Sequence, residues 1–359
     1  MSGVYVHVPF CRSRCSYCDF SVAIGKPDVG YVDLIRQEFA LSKWSGVATT
    51  LYFGGGTPSS LPIRDLAELV KLFPVEPGAE ITAEVNPEDV SREWAKGAVA
   101  AGVNRLSLGV QSFDPAILEW FRRGHRPEDV VRAWAILRSV GFSNLSIDLI
   151  FGAPCESSTS WGETLERAIA LEPEHVSVYA LTIESGTPLR GMVLDEEVQA
   201  ERYRLAERLL SAAGYRWYEI SNWAKPGFAS RHNLGYWTGG DYLGVGPSAH
   251  SRQGAARFWN VNSYPRYRQR ILSGLSAMEG VEILDEAELI EEAAYLRLRT
   301  SGGTKIKELP RWSWGLLEAD GDRAILSLDG RLQLDGIFAR LAADGVILGS
   351  GAQLPSPNG

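Results

Sequence analysis

Short apolar runs rich in β-branched residues alternate with longer helical patterns from the N-terminus to about residue 220. The predicted strands are 4–8, 50–53, 80–85, 105–110, 145–150 and 175–181. Between and after them, apolar residues recur at helical spacing, and the predicted helices are 31–43, 64–73, 91–101, 127–140, 159–171 and 196–213. Strands that alternate with helices in this way predict a parallel sheet with helices outside it.

Unusual polar residues and glycines recur just after the predicted strands. They are the cysteines after the first strand, 54–58 after the second, 84–87 at the third, 111–113 after the fourth, Asp148 in the fifth and 179–180 in the sixth. In a barrel-like α/β domain the carboxyl ends of the strands share one rim, where functional sites form. The pattern therefore predicts a partial (β/α)6 barrel of the TIM type with a site at this rim, over residues 1–222.

The pattern changes beyond residue 222. The segments 227–237 and 239–250 combine glycines with aromatic and polar residues, which predicts irregular loops with close backbone approach. We predict a second, smaller domain over 223–359, with helices at 285–298 and 334–343 and a short strand at 346–348. This would be an α/β module of winged-helix type, followed by a frayed Gly/Ser/Pro-rich tail at 350–359.

Composition and charge narrow the possible partners. The 36 basic and 44 acidic residues give a net charge of −8, which argues against a nucleic-acid partner. The apolar runs are strand-sized, so no membrane span is expected. We expect a cytoplasmic protein. Eleven tryptophans are a high count, explained by large core anchors or by a flat hydrophobic ligand.

Three of the four cysteines, Cys11, Cys15 and Cys18, form a C-x3-C-x2-C motif after the first predicted strand. A cubane iron–sulfur cluster normally takes four thiolates, so three would leave one iron open to an outside ligand. A zinc site would need a fourth ligand, for which His7 and Asp19 are the nearby candidates. Disulfides would leave one cysteine over. The fourth cysteine of the chain has no partner spacing and is predicted to be a bystander.

The cysteine motif followed by a glycine-rich turn resembles the radical S-adenosylmethionine (SAM) superfamily. The resemblance implies a [4Fe–4S] cluster on the three cysteines, with the amino and carboxylate groups of SAM on the open iron. More closely, the chain resembles the oxygen-independent coproporphyrinogen III oxidase family from residue 4 to about residue 260. The matching motifs are Tyr5-x-His7-x-Pro9-Phe10-Cys11, Gly54-Gly55-Gly56-Thr57-Pro58, Glu84-x-Asn86-Pro87, Gly109-Val110-Gln111-Ser112-Phe113 and Asp148-Leu149-Ile150-x-Gly152.

The resemblance implies a set of SAM contacts by position. These are Tyr5, Tyr17, Gly55, Gly56, Thr57, Glu84, Gln111, Arg123, Asp148 and Ala180. Glu84 and Asp148 suit ribose hydroxyls, and Arg123 suits the methionine carboxylate by charge-assisted pairing. Local alternatives stay open, since Glu84 could cap the turn that follows it and Arg123 could be a surface residue.

Two departures point to the haem-chaperone branch of that family. Phe20 stands where the oxidase has a further cysteine, and we expect no counterpart of the oxidase's N-terminal extension. The segment 232–237 also resembles the H-N-x-x-Y-W motif of the chaperone branch. The match implies haem ligation by His232, with His250 as the second choice. The alternative is that His232 forms local hydrogen bonds while the aromatic residues fill the domain interface.

The predicted function is therefore a haem chaperone that holds a [4Fe–4S] cluster and SAM and delivers haem to acceptor haemoproteins, respiratory ones among them. This reading implies a protein without coproporphyrinogen III oxidase activity. The oxidase itself is the first alternative, and a zinc-stabilised interaction module is the second. The aromatic loops are also compatible with a homodimer.

Overall fold

The computed structural model describes residues 2–42, 44–184, 186–192 and 195–347 of the chain. The strands are β1 (Ser2–Val8), β2 (Phe10–Cys11), β3 (Ala23–Ile24), β4 (Ala48–Gly55), β5 (Val75–Val85), β6 (Arg105–Gln111), β7 (Leu145–Phe151), β8 (His175–Ala180), β9 (Arg216–Glu219), β10 (Asn222–Ala224), β11 (Asp241–Val245), β12 (His250–Gln253), β13 (Ala256–Asn260), β14 (Met278–Ile283), β15 (Thr304–Lys305), β16 (Leu317–Asp320) and β17 (Arg323–Leu326). The helices are α1 (Tyr31–Ser42), α2 (Ile63–Leu72), α3 (Arg92–Ala101), α4 (Pro115–Trp120), α5 (Pro127–Ser139), α6 (Ser158–Ala170), α7 (Glu196–Ala212), α8 (Arg231–Trp237), α9 (Tyr264–Leu272), α10 (Glu286–Leu298), α11 (Leu328–Arg331) and α12 (Leu334–Ala343).

One large sheet organises most of these elements. Its strand order is β14-β13-β12-β11-β1-β4-β5-β6-β7-β8-β10-β9. Neighbouring strands from β11 to β8 are parallel, and those at both ends pair antiparallel. Over the residues that the structure describes, β14 and β9 are the edges of the sheet and do not pair with each other. The predicted partial barrel is therefore confirmed, as an open, mostly parallel sheet.

The six predicted strands and six predicted helices of the barrel are all present. Their ends differ from the predictions by at most two residues, except that β5 begins at Val75; Lys43, the predicted end of the first helix, lies outside the described residues. Helix α3 shows how local residues set these boundaries. The Ser91 side chain accepts a hydrogen bond from the Trp94 backbone N–H at its start, and Gly102 ends it with φ of +100°.

The two faces of the parallel strands differ in chemistry. On β6, Leu106 and Leu108 are fully buried in the main hydrophobic core, together with residues from the surrounding helices. The alternate residues Arg105 and Ser107 are buried and polar, on the opposite face. Because side chains alternate along a strand, the sheet has an apolar face towards its helices and a polar face towards the barrel interior. A polar ligand can therefore be accommodated inside.

The segment 227–250 differs from its prediction as an irregular loop, which is wrong for most of its length. Residues Arg231–Trp237 form α8, and Asp241–Val245 form β11, which pairs in parallel with β1. The glycines here allow close packing. A Cβ atom on Gly244 would lie 2.1 Å from the His250 backbone oxygen, and one on Gly246 would lie 2.6 Å from that of His7. The Gly246 contact and the pairing of β11 with β1 join segments distant in sequence, so no local pattern indicated them.

The main sheet continues through β14, so the predicted boundary between residues 222 and 223 does not divide it. The predicted winged-helix-like α/β module follows as a three-stranded sheet of β15, β17 and β16 with α10, α11 and α12. It has its own buried cluster, whose members are Leu298, Ile306, Leu317, Ala324, Leu326, Leu334, Ile337 and Leu341. The division of the chain into domains stays a prediction. Ile347 bridges to Ile306, while residue 348 and the predicted tail lie outside the described residues.

Candidate functional site

The three cysteines lie on a loop that is anchored at its ends and in its middle. Cys11 ends β2, and β2 pairs in parallel with β3 on the far side of the loop. The Gly25 backbone N–H donates to the Cys11 carbonyl at 2.9 Å, and the Ser16 N–H donates to the Phe121 carbonyl at 3.1 Å. Cys11, Cys15 and Cys18 are all half-buried free thiols in this loop. The backbone therefore holds them together at the rim of the sheet.

Two of the sulfur atoms lie beside polar side chains at the edge of the loop. The Cys11 Sγ lies 3.4 Å from the Thr57 hydroxyl oxygen, and the Cys15 Sγ accepts a hydrogen bond from Arg123 Nη1 at 3.5 Å. Burial raises the pKa of Cys11 to about 11, although the Thr57 hydrogen bond opposes this shift. The charged thiolate is thus disfavoured until a metal replaces the proton.

The three cysteines are not gathered into a site for a single metal ion. Among the described residues, no three His, Cys, Asp or Glu side chains are grouped to hold one metal ion. In a [4Fe–4S] cluster each thiolate binds a different iron, so the sulfur atoms are separated by the cluster itself. A zinc ion would instead draw its ligands together around one point.

The glycine turn after β4 packs directly against the chain that enters the cysteine loop. A Cβ atom on Gly55, where φ is +108°, would lie 2.6 Å from the His7 ring. A Cβ atom on Gly56 would lie 2.8 Å from the Val8 carbonyl oxygen. The glycines therefore let two neighbouring strand ends meet at the rim, and they leave backbone groups exposed to a ligand there.

A cavity of about 400 Å³ opens at this rim, and it is lined by Cys11, Cys15 and Cys18. Nine of the ten predicted SAM contacts also line it, namely Tyr17, Gly55, Gly56, Thr57, Glu84, Gln111, Arg123, Asp148 and Ala180. The tenth, Tyr5, does not line the cavity; its ring stacks on Tyr52 at a centroid distance of 6.1 Å. The cavity volume is within the range that small-molecule ligands occupy.

Two half-buried carboxyl groups face the cavity. Glu84 accepts hydrogen bonds from the Tyr52 hydroxyl at 2.8 Å and from the Gly55 N–H at 3.2 Å. Asp148 accepts from the Ser107 hydroxyl at 2.9 Å. Burial raises the pKa of Glu84 to about 7 and also raises that of Asp148. Held in fixed positions, both groups can accept hydrogen bonds from ligand hydroxyls.

Arg123 belongs to the cavity wall, so the alternative of a surface residue does not apply. Its Nη2 donates to Asn86 Oδ1 at 2.6 Å and to the Gly109 carbonyl at 2.9 Å. Its Nε is buried and has no hydrogen-bond partner in the described part of the chain. Gln111, on the same wall, has φ of +65°, a left-handed conformation that is rare for this residue type and common at functional sites.

His232 does not reach the cavity. Its side chain is buried, Nδ1 is hydrogen-bonded to the Thr50 hydroxyl at 2.8 Å, and Nε2 is hydrogen-bonded to the Tyr236 hydroxyl at 2.7 Å. Burial, assisted by Arg105, lowers the pKa of His232 to about 3, so the imidazole is neutral. The void beside it is only about 10 Å³. This is the local hydrogen bonding considered above, and haem ligation by His232 stays a prediction that requires the Tyr236 hydrogen bond to open.

Sequence reasoning missed Tyr52, Asn86 and Ser107, which also line the cavity. A signal for Tyr52 was present, because Tyr52 alternates with the apolar Leu51 and Phe53 and therefore lies on the polar face of β4. Asn86 stands within a matching motif but was given no role. Over the described residues, no helix is long and apolar enough to cross a membrane.

A cysteine loop, a glycine turn and a polar cavity at the rim of a partial barrel define the radical SAM class. The family model of the radical SAM superfamily matches residues 5–168. The chain is 38% identical to a heme chaperone HemW of Mycobacterium tuberculosis, with 94% of each chain covered. It is 35% identical to the heme chaperone HemW of Bacillus subtilis, with 86% of each covered. The chain belongs to the HemW family within this superfamily.

A solved structure supports the fold. The coproporphyrinogen III oxidase of Escherichia coli, a radical SAM enzyme, superposes with a TM-score of 0.77 over 95% of this chain and 89% of its own, at 22% identity. Membership in the superfamily implies a [4Fe–4S] cluster and SAM. The cavity residues fit the cluster and SAM in chemical type. The thiols suit the iron atoms, and the carboxyl groups and the unpartnered Arg123 Nε suit the polar groups of SAM.

Proposed function

We propose that this protein is a haem chaperone that holds a [4Fe–4S] cluster and SAM, binds haem and passes it to an acceptor haemoprotein. The observation that carries the proposal is Phe20, whose side chain is 61% exposed at the cavity mouth. The oxidase branch has a further cysteine at this position, so an apolar side chain replaces a reactive thiol beside the cluster. The heme chaperones that match almost the whole chain support the same function.

The cavity residues divide into three groups in this proposal. Cys11, Cys15 and Cys18 bind the cluster, which supplies an open iron for the amino and carboxylate groups of SAM. Glu84 and Asp148 accept hydrogen bonds from the ribose hydroxyls. The other predicted contacts on the wall surround the rest of the ligand.

Arg123 donates to the methionine carboxylate, and its contacts with Asn86 and the Gly109 carbonyl hold the guanidinium in place for that purpose. Tyr5 contributes indirectly, by packing against Tyr52.

The haem ligand is the part of the proposal that most needs an experiment. His232 becomes available to iron only if its hydrogen bond to Tyr236 opens. His250 is exposed and stacks on Trp259, with a centroid distance of 6.1 Å and an interplanar angle of 25°. The variants His232→Ala and His250→Ala therefore form a matched pair. We expect the Soret band and the haem affinity to change in His232→Ala alone, and a change confined to His250→Ala would transfer the ligand role to His250.

One anaerobically reconstituted sample tests the function. Half is titrated with haem and then mixed with an apo-globin, and half is incubated with coproporphyrinogen III, SAM and dithionite. We expect haem binding, transfer to the globin and no protoporphyrinogen IX. Formation of protoporphyrinogen IX would identify an oxidase instead. Bound zinc without the brown absorbance of an iron–sulfur cluster would point to a structural module. Transfer of haem to a natural acceptor haemoprotein and formation of a homodimer stay predictions.

A further inference from the structure

A series of contacting aromatic rings, partly stacked and partly edge-to-face, runs from the wall of the cofactor cavity through α8 to β11. It consists of Tyr5, Tyr52, His232, Tyr236 and Tyr242, and we call it the aromatic column. The centroid distance is 4.9 Å between Tyr52 and His232, 4.8 Å between His232 and Tyr236, and 4.6 Å between Tyr236 and Tyr242. All five side chains come from β1, β4, α8 and β11, three neighbouring strands and the helix packed on them.

Tyr52 is the member of the aromatic column that also contacts the cavity. Its hydroxyl donates to Glu84 Oε1 at 2.8 Å, and the residue lines the cavity itself. Its ring lies nearly parallel to His232, at an interplanar angle of 22°. One side chain therefore connects a carboxylate assigned to the ribose of SAM with the histidine assigned to haem.

The packing around Tyr52 leaves little room for independent movement. A Cβ atom on Gly54 would lie 2.8 Å from Tyr52 Cε1 and 2.9 Å from Glu84 Oε1. A Cβ atom on Gly3 would lie 3.1 Å from the Thr50 hydroxyl oxygen, which is itself bonded to His232. Side chains packed this closely move together between discrete arrangements.

Two inner members of the aromatic column, His232 and Tyr236, belong to α8, a helix held from two sides. The Glu80 carboxylate accepts from the backbone N–H groups of Arg231 and His232, at 3.1 and 3.0 Å. The Trp237 ring lies beneath the Arg299 guanidinium at 4.7 Å from its centroid. His232 is thus connected through α8 and Trp237 to Arg299, which directly follows α10.

We propose that Tyr52 is a positioning residue that couples occupancy of the cofactor cavity by SAM to the hydrogen bond between His232 and Tyr236. A ligand hydroxyl on Glu84 fixes that carboxylate, Glu84 fixes the Tyr52 hydroxyl, and the Tyr52 ring holds His232 in its closed arrangement. SAM binding and opening of α8 then oppose each other, as linkage requires. This deepens the proposed function and rests on it for the identity of the ligand, but the coupling can be measured without haem.

The test uses the full-length, cluster-loaded protein. The Kd for SAM is measured by calorimetry for wild type, Tyr52→Phe, Tyr236→Phe and the double variant. Tyr203→Phe is the control, because it loses a hydroxyl that donates to the Ile220 carbonyl at 2.8 Å, outside the aromatic column. We expect Tyr52→Phe to weaken SAM binding about fivefold or more. Tyr236→Phe should also weaken it although Tyr236 does not line the cavity, and the double variant should differ from the product of the single effects by at least about twofold.

Hydrogen exchange of the amides in 231–237 gives a second readout. We expect SAM to slow this exchange in wild type and to slow it less in Tyr52→Phe. Suppose that wild type binds SAM normally, that SAM leaves its exchange unchanged, and that Tyr236→Phe has an unaltered Kd. This result would overturn the coupling and leave the proposed function intact. Absence of SAM binding in wild type would overturn both. If a variant fails to load its cluster, the wild-type exchange experiment still decides.

Discussion

The cofactor cavity and α8 lie on opposite sides of Tyr52, and they differ in the space that they leave for a ligand. The cavity has about 400 Å³ of space, with Arg123 Nε lacking a partner among the described residues. Beside α8, both ring nitrogens of His232 are hydrogen-bonded and the void is about 10 Å³. Both regions carry motifs, and both contain a buried polar atom without a partner among the described residues, since Trp237 Nε1 on α8 is unsatisfied as well. Only the cavity has room for a ligand, so a motif marks an open ligand site only where the fold also leaves space.

The largest expected effect is loss of the cluster in Cys15→Ala. Two thiolates do not hold a cubane, so the iron content after anaerobic reconstitution should fall from about four per chain to near zero. Cys155→Ala is the matched control, because Cys155 is exposed and does not line the cavity. Iron content is measured by colorimetric assay. Full iron content in Cys15→Ala would contradict the assignment of the cluster to the three cysteines of the cofactor cavity.

The next largest effect is expected at the glycine turn that shapes the cavity. Gly55→Ala places a Cβ atom 2.6 Å from the His7 ring at φ of +108°, so we expect the free energy of unfolding to fall by roughly 2–5 kcal/mol. Gly78→Ala is the control, since φ is +78° there but the added Cβ meets open space, and it should cost about 1 kcal/mol. Urea denaturation measures the free energy of unfolding of both variants. An equal loss in the two would mean that the close approach of Gly55 to the His7 ring does not contribute.

The variant Thr50→Val tests the buried hydrogen bonding of His232 beside α8. This change preserves shape but leaves His232 Nδ1 buried without a partner, and it should lower the free energy of unfolding by about 1–3 kcal/mol. Thr49→Val is the neighbouring control, whose hydroxyl donates to the Ser2 carbonyl at 3.1 Å in a less buried position. Urea denaturation should give the smaller cost for Thr49→Val; the reverse order would show that the His232 bond contributes little.

The smallest effect concerns the pH dependence of SAM affinity. Burial raises the pKa of Glu84 to about 7, so its carboxyl is mostly protonated below that value and then accepts hydrogen bonds poorly. Affinity should therefore rise about tenfold from roughly pH 6 to roughly pH 8. Glu84→Gln should bind more weakly and lose the part of this dependence that belongs to Glu84. Calorimetric titrations that give parallel pH profiles for both proteins would remove Glu84 from the ribose site.

Much of the rim was predictable because its signals are local. The cysteine spacing and the glycine turn each lie within a few residues, and parallel strands bring their carboxyl ends to one edge. Tyr5 shows the limit of this reasoning. It stands in a matching motif two residues before His7, and strand alternation places it on the same face as its partner Tyr52, yet Tyr52 lines the cavity and Tyr5 does not. Which residue of a motif reaches a ligand depends on the side chains of the next strand.

By itself, the sequence determined the alternation of strands and helices, the chemistry of the rim and the family. Only the tertiary structure decided the role of the segment 227–250. Its glycines indicated loops, yet β11 pairs with β1, and α8 places His232 against Thr50 and Tyr52. The physical reason is range. Periodicity and spacing record interactions between near neighbours, whereas a strand pairing or a buried hydrogen bond between residues 50 and 232 exists only once the chain has folded.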